Sequence, residues 1–170
     1  NDIDIGHCIG RGWNLVKENF LLVVGTTLLV MIITIGINQL IALITRPAMQ
    51  SLIRGDVTPS AILIVALGYI LGMPIYSIFY GGLYGFYLKL IRGQPVNVSD
   101  AFVGFGPAFS QLALVGLVVG LLTLLGFALC VLPGIYLAVA WVFAVPLVID
   151  KRLDFWDAME LSRKIVNKHF

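Results

Sequence analysis

The side chains able to do chemistry in this chain are hydroxyls and amides set at helical spacing inside uncharged segments. Thr27, Thr34, Asn38 and Thr45 are separated by 7, 4 and 7 residues. On a helix that places them within about 40° of one another. Gln39 lies one step to the side. Tyr69, Tyr76, Tyr80, Tyr84 and Tyr87 are five of the six tyrosines, and they share a second helical face within about 80° of arc. Such groups bind by hydrogen bonding and stacking. They do not supply a nucleophile, a general base or a metal ligand set.

The chemistry of catalysis is missing elsewhere too. Both histidines, His7 and His169, lie in segments outside the apolar stretches, and the two cysteines, Cys8 and Cys130, lie far apart in unlike settings. No disulfide framework or metal spacing follows from them. There is no His-Glu-x-x-His, no paired aspartate and no nucleophile elbow. Gly104-Phe105-Gly106 is too short and too apolar for a phosphate loop. The expectation is a protein that is not an enzyme and holds no cofactor and no metal. The net charge of +2 is too small to suggest nucleic acid.

The elements that must position these side chains are membrane spans. Hydrophobic residues make up 59% of the 170, and charged ones 12%, against about 25% charged in a soluble domain. No Asp, Glu, Lys or Arg occurs from Asn19 to Thr45, Val57 to Leu88, or Ala101 to Ile149, windows of 27, 32 and 49 residues. A spanning helix needs about 20 apolar residues. The first two windows hold one span each and the third holds two, with Pro133-Gly134 read as the turn between them. The predicted spans are 20–45, 61–88, 109–131 and 135–150. Leu112 to Leu132 is apolar on every side rather than alternating, which excludes a β-barrel. The fold class expected is all-α, an integral membrane helix bundle with short amphipathic surface helices, forming one membrane domain over 1–170.

Basic residues orient the spans. Arg11, Lys17, Lys89, Arg92, Lys151, Arg152, Arg163, Lys164 and Lys168 fall on one side, and Arg46 and Arg54 on the other. Nine against two predicts a multi-pass protein of a cell inner membrane with its N-terminus and C-terminal segment cytoplasmic.

A weak repeat precedes the spans. His7–Phe20 aligns with Asp157–Phe170 without gaps, and Asp100–Phe109 is a looser third copy. Each reads as an amphipathic helix on the cytoplasmic membrane surface, with Ser99 or Asp100, and Asp154, as N-caps. The chain starts without Met, and its last copy stops where another span should start. The expectation is therefore a C-terminally truncated part of a larger bundle. Between the first two spans, Pro47 to Ile53 is read as one surface turn or two, with Pro47 suited to a helix N1 position and Gly55 to a C-terminal stop.

Small residues mark helix contacts. Ser77, Gly81 and Gly85 run at four-residue spacing beside the tyrosine face, Gly68 and Gly72 form a pair on the opposite flank, and Gly116 and Gly120 give the third span the same option. Pro74 should kink the second span. Tyr84 and Tyr87 suit the interfacial aromatic belt near Lys89. Tyr76 and Tyr80 lie deeper, and the polar face of the first span is expected to face into the bundle and supply their acceptors. Two readings follow for Thr34, Asn38, Tyr69, Tyr76 and Tyr80. They line a polar groove for a lipid headgroup or small polar solute, or they are ordinary interhelical hydrogen bonds.

The run Leu88-Lys89-Leu90-Ile91-Arg92-Gly93-Gln94-Pro95-Val96, with Val98, Asp100 and Phe102, resembles a group of uncharacterised bacterial membrane proteins. So do Leu132-Pro133-Gly134-Ile135-Tyr136-Leu137 and Asp157-Ala158 with Leu161-Ser162. That group is related to the membrane domain of glycerophosphoryl diester phosphodiesterases. The resemblance covers residues 80–170. It implies more spans than four, with phosphodiesterase chemistry in a separate soluble domain, and it assigns no functional residue here. The leading expectation is a membrane scaffold or partner-binding module, with the lipid bilayer and other membrane subunits as partners. The alternative is a transporter or lipid-handling protein. A cavity lined by Asn38, Tyr76 and Tyr80 would favour the alternative, and a dry contact there the scaffold.

Overall fold

The computed structural model describes residues 5–129 and 131–169, with side chains described for 10–129 and 131–168. The chain is an all-α bundle. Among the described residues there is no strand. The helices are α1 (Ile5–Glu18), α2 (Phe20–Ile53), α3 (Pro59–Ile91), α4 (Phe109–Leu129), α5 (Val131–Ala140), α6 (Ala144–Lys151) and α7 (Phe155–His169), with a 3-10 helix at Val98–Phe105. Four stretches are long and apolar enough to cross a membrane: α2, α3, α4, and α5 together with α6.

α2 and α3 have 34 and 33 residues, about 50 Å each, against roughly 30 Å of hydrocarbon. Set along the membrane normal, about two fifths of each therefore extends beyond the apolar layer. One feature of the α2–α3 connection differs from the expectation drawn from residue types. Pro47 does not start a turn; it lies inside α2, and the connection is the short loop after Arg54, with Gly55 at φ +90°. Thr58 caps α3 by accepting from the Ala61 N–H at 3.3 Å, with Pro59 in the first turn. α3 runs unbroken through Pro74.

Pro133 and Gly134 are likewise helical, in the first turn of α5, where a proline loses no hydrogen bond. α4 ends at Leu129, and α5 begins at Val131 and packs back against it. Gly134 is a packing residue: a Cβ there would lie 2.8 Å from the Phe127 backbone nitrogen, and one on Gly126 would lie 3.0 Å from the Gly134 Cα. The fourth apolar stretch is broken at Trp141–Phe143, between α5 and α6.

One end of the bundle gathers the charged ends of the spans. Arg92 after α3 pairs with Asp150 of α6, and the Arg11 guanidinium donates to the Ile91 carbonyl at 3.4 Å. Lys89 pairs with Asp100 at 2.6 Å. The cap of the 3-10 helix is Asn97 rather than Ser99 or Asp100. Asp100 is its third residue and accepts the Asn97 N–H at 2.9 Å.

The 3-10 helix folds back along α3 backbone to backbone. A Cβ on Gly82 would overlap the Ala101 carbonyl, and one on Gly104 would overlap the Ile78 carbonyl. Ala101 and its counterpart in the repeat, Ala158, are both fully buried. The equivalent residue of the first copy, Cys8, has its side chain outside the described residues, as do His7 and His169; Cys130 and Phe170 lie outside them altogether.

α7 does not stand apart as a surface helix at that end. It turns back at Arg152 (φ +50°) and lies against α4, α5 and α6. The Phe155 N–H donates to Gln111 Oε1 at 2.9 Å, and Ser162 reaches the break between α5 and α6. The Tyr136 hydroxyl lies 3.1 Å from Asn167 Oδ1. Arg163, Lys164 and Lys168 therefore run along the flank of the fourth stretch. Without them the basic count between the two ends is six against two.

Candidate functional site

α2 and α3 meet through an apolar seam. Val23, Val30, Phe79, Phe86 and Leu90 are buried there, with Ile33, Ile37 and Ile75 against them. The polar stripe of α2 sits about one residue round the helix from that seam. Its two ends meet α3, Thr27 at Tyr87 and Thr45 at Gly68, whereas between them Thr34 is half-buried and Asn38 exposed. Thr34 and Thr45 donate to their own helix, to Val30 O at 2.5 Å and Ile41 O at 3.0 Å. Asn38 Nδ2 donates to Thr34 O at 2.8 Å.

The polar bridge between the two helices is elsewhere. Thr27 Oγ1 lies 2.6 Å from the Tyr87 hydroxyl and 2.6 Å from Val23 O. The threonine has one proton, given to Val23, so Tyr87 donates to Thr27. A bridge of this kind contributes only about 0.6 kcal/mol in a membrane. No hydrogen bond joins Tyr76 or Tyr80 to α2 among the described residues. These rings stack on each other instead, with centroids 5.3 Å apart, and Tyr84 meets Tyr80 edge-on at 5.0 Å.

Beside the seam lies a groove of about 880 Å³, within the range of small-molecule sites. α2 contributes Asn38, Thr45 and Arg46; α3 contributes Tyr69, Tyr76 and Tyr80; α4 and the break contribute Thr123 and Trp141. A second hollow of about 520 Å³ is lined by Thr34, Gln39 and Phe79, and it shares Asn38, Tyr76 and Tyr80 with the first. Thus Asn38, Tyr76 and Tyr80 border both, Tyr69 borders only the larger and Thr34 only the smaller. At the far end the groove closes where Gly68 lets Thr45 approach; a Cβ on Gly68 would be 2.5 Å from Thr45 Cγ2.

The groove's back wall is rigid. A Cβ on Gly116 would lie 2.8 Å from Met73 O and 2.5 Å from the Ser77 Cβ, and one on Gly120 would meet the Met73 sulfur. Gly81 faces Leu112 and Ile149, and Gly85 faces Val103 and Ile149. Ser77 is buried and donates to the Leu112 carbonyl at 2.8 Å. These small residues thus lie where α3 meets α4, α6 and the 3-10 segment.

Residue types alone missed Arg46, Thr123, Trp141 and Ser162. Among the described residues Arg46 is the one Asp, Glu, Lys, Arg or His on the larger groove, and its guanidinium donates to Gln39 Oε1 at 3.1 Å. The Thr123 hydroxyl is enclosed without a partner. Ser162 is fully buried, donates to Ala140 O at 2.7 Å and accepts from the Phe143 N–H at 3.2 Å. It satisfies the two backbone groups that the helix break leaves free. The Leu161-Ser162 pair was visible in the sequence, but nothing local tied it to residues 20 positions earlier. Among the described residues no three His, Cys, Asp or Glu side chains gather as a metal site would need.

No family model matches the chain. It is similar to an uncharacterised protein of Mycobacterium bovis and to one of Mycobacterium tuberculosis, each 30% identical over 113 residues. The match takes in 66% of this chain and 34% of each relative, so the chain spans about a third of the length of the curated relatives it matches. No solved structure matches.

Proposed function

We propose that this is a non-enzymatic, multi-pass protein of a bacterial inner membrane that binds a membrane lipid in the groove beside α2 and α3. The observation that carries the reading is the groove itself. Asn38, Tyr76 and Tyr80 border open space instead of closing on each other. A hydrogen-bonded helix contact would have left no such volume. The wall is mostly aliphatic and aromatic, with a few polar groups, which suits an acyl chain beside a headgroup. The basic residues at the end holding Lys89, Arg92 and Lys151 support a cytoplasmic N-terminus. Kinship with the phosphodiesterase membrane domain is part of this proposal, and no phosphodiesterase chemistry is assigned to this chain.

A scaffold role is the second reading, favoured by the tight α3–α4 contact through Ser77, Gly116 and Gly120. In that case the groove seats a helix of another subunit.

A phosphatidylcholine carrying a photoreactive acyl chain tests the first reading. Bound to the purified protein in detergent, it should label the peptides holding Asn38 and Tyr76–Tyr80 above the open apolar faces around Leu21 and Leu63. Asn38→Leu should reduce that labelling while leaving membrane insertion intact. Even labelling of all exposed faces would refute the lipid groove, and crosslinks from the groove to a co-purified helix would favour the scaffold.

A further inference from the structure

We infer that the lipid bound in this groove carries a net negative headgroup, held by Arg46; this rests on the lipid-groove reading above. Among the described residues that line the larger groove, Arg46 alone carries a permanent charge, and none is a carboxylate. No carboxylate pairs with Arg46 among the described residues; the ion pairs there are Lys89–Asp100, Arg92–Asp150 and Glu160–Lys164. Its partner is a neutral amide. The side chain folds back two helical turns along α2 to Gln39 rather than extending toward Arg54 and the loop.

A guanidinium has five donors in a planar fork, and Gln39 takes one of the described contacts. Arg46 borders the groove together with Thr45, Tyr69 and Tyr76, and among the described residues Gln39 is the one side chain its guanidinium donates to. A cation next to an apolar wall, without a counter-ion, favours an anionic oxygen ligand, and arginine matches phosphate oxygens in a bidentate manner. Arg46 lies one residue past Thr45, where Gly68 brings α2 and α3 together and closes the groove. A headgroup phosphate seated there would send its acyl chain along the groove toward Trp141 and Tyr80. That direction agrees with the placement of the aromatic and aliphatic wall. Arg54 serves as a comparison, because it lies in the loop after α2 and does not border the groove.

The experiment uses the purified full chain in a nonionic detergent with the photoreactive phosphatidylcholine as reporter. Unlabelled phosphatidylglycerol and phosphatidylcholine of identical chains compete for it. One basic residue near a membrane surface is worth a preference of about fivefold. Phosphatidylglycerol should therefore displace the reporter at about one fifth of the concentration that phosphatidylcholine requires. Arg46→Gln should bring the ratio to about one while phosphatidylcholine still competes, and Arg54→Gln should leave the ratio as in the wild type. Inorganic phosphate at equal concentration should not displace the reporter; if it does, the site takes a free anion and not a lipid. Equal competition by both lipids in the wild type overturns the headgroup assignment and leaves the groove reading standing. An equal loss of preference in Arg46→Gln and Arg54→Gln also overturns it, since the attraction would then be a general surface charge. Failure of either lipid to compete removes the groove reading itself.

Discussion

Replacing Gly82 with alanine would test how the 3-10 helix is held against α3. The added methyl would lie 2.9 Å from the Ala101 carbonyl carbon and 3.4 Å from the Gly104 nitrogen, and it would overlap the Ala101 oxygen. Both partners are backbone, so no side-chain rotation relieves the clash. Carbon–oxygen contacts settle at about 3.3–3.6 Å, so Val98–Phe105 must retreat on the order of 1 Å. Overpacking of a close contact costs about 1–3 kcal/mol, and an unyielding backbone on both sides puts this case near the top. Alanine recovers up to about 1 kcal/mol of helix propensity, leaving a net loss of about 2 kcal/mol. Gly36→Ala is the control, because nothing lies within 4 Å of the position, and it should be neutral or stabilising by up to about 1 kcal/mol. Gly85→Ala should fall between, since its neighbours are the side-chain ends of Val103 and Ile149 at 2.9 and 3.3 Å. Unfolding by sodium dodecyl sulfate in mixed micelles, followed by tryptophan fluorescence, measures all three. If Gly82→Ala unfolds within about 0.5 kcal/mol of Gly36→Ala, the backbone contact does not exist as described.

Two further outcomes follow from polar contacts. Ser162→Ala should strand the Ala140 carbonyl and the Phe143 N–H in a buried place, costing about 1–3 kcal/mol. Hydrogen exchange should then rise in α7 and at Trp141–Phe143, and unchanged exchange at both would contradict the bridge. For Asp100, the hydrogen bond from Lys89 comes first, and the Asn97 N–H second, in holding its carboxyl below the usual carboxylate range. A lowered folded value means that the contribution is complete above the unfolded value of about 4 and fades as pH falls through the folded one. Lys89 is 43% exposed, so screening keeps the effect under about 1 kcal/mol. Stability of the wild type should drop on the acid side of pH 4, and Asp100→Asn should lack that part of the slope. A parallel acid profile for both proteins would argue against the pair.

Charge-free windows were sufficient to read four apolar helical stretches, because hydrocarbon admits no unpaired charge over about 20 residues whatever the tertiary arrangement. Glycine spacing on α3 and α4 was legible for a similar reason: close approach of two backbones excludes Cβ atoms wherever it occurs. Proline positions were misread at Pro47 and at Pro133-Gly134. A proline breaks a helix only where its missing N–H or its ring is not tolerated, and the first turn of α5 tolerates both. The polar row of α2 was legible as a face, but its partners were not: Thr27 meets Tyr87 and Thr45 meets Gly68, while Asn38 between them borders open space. Periodicity tells which residues share a side; it does not tell how far from the neighbouring helix each of them stands.

Residue order alone determined that the chain is a helical bundle of the membrane type, with hydroxyl and amide stripes at helical spacing. Only the tertiary structure decided that Asn38, Tyr76 and Tyr80 border open space, that Arg46 turns back onto the groove, and that Ser162 holds the break beside Trp141. Each of those depends on how far apart two helices stand and how they are rotated. Long-range packing sets such distances, and no local pattern of residues carries them.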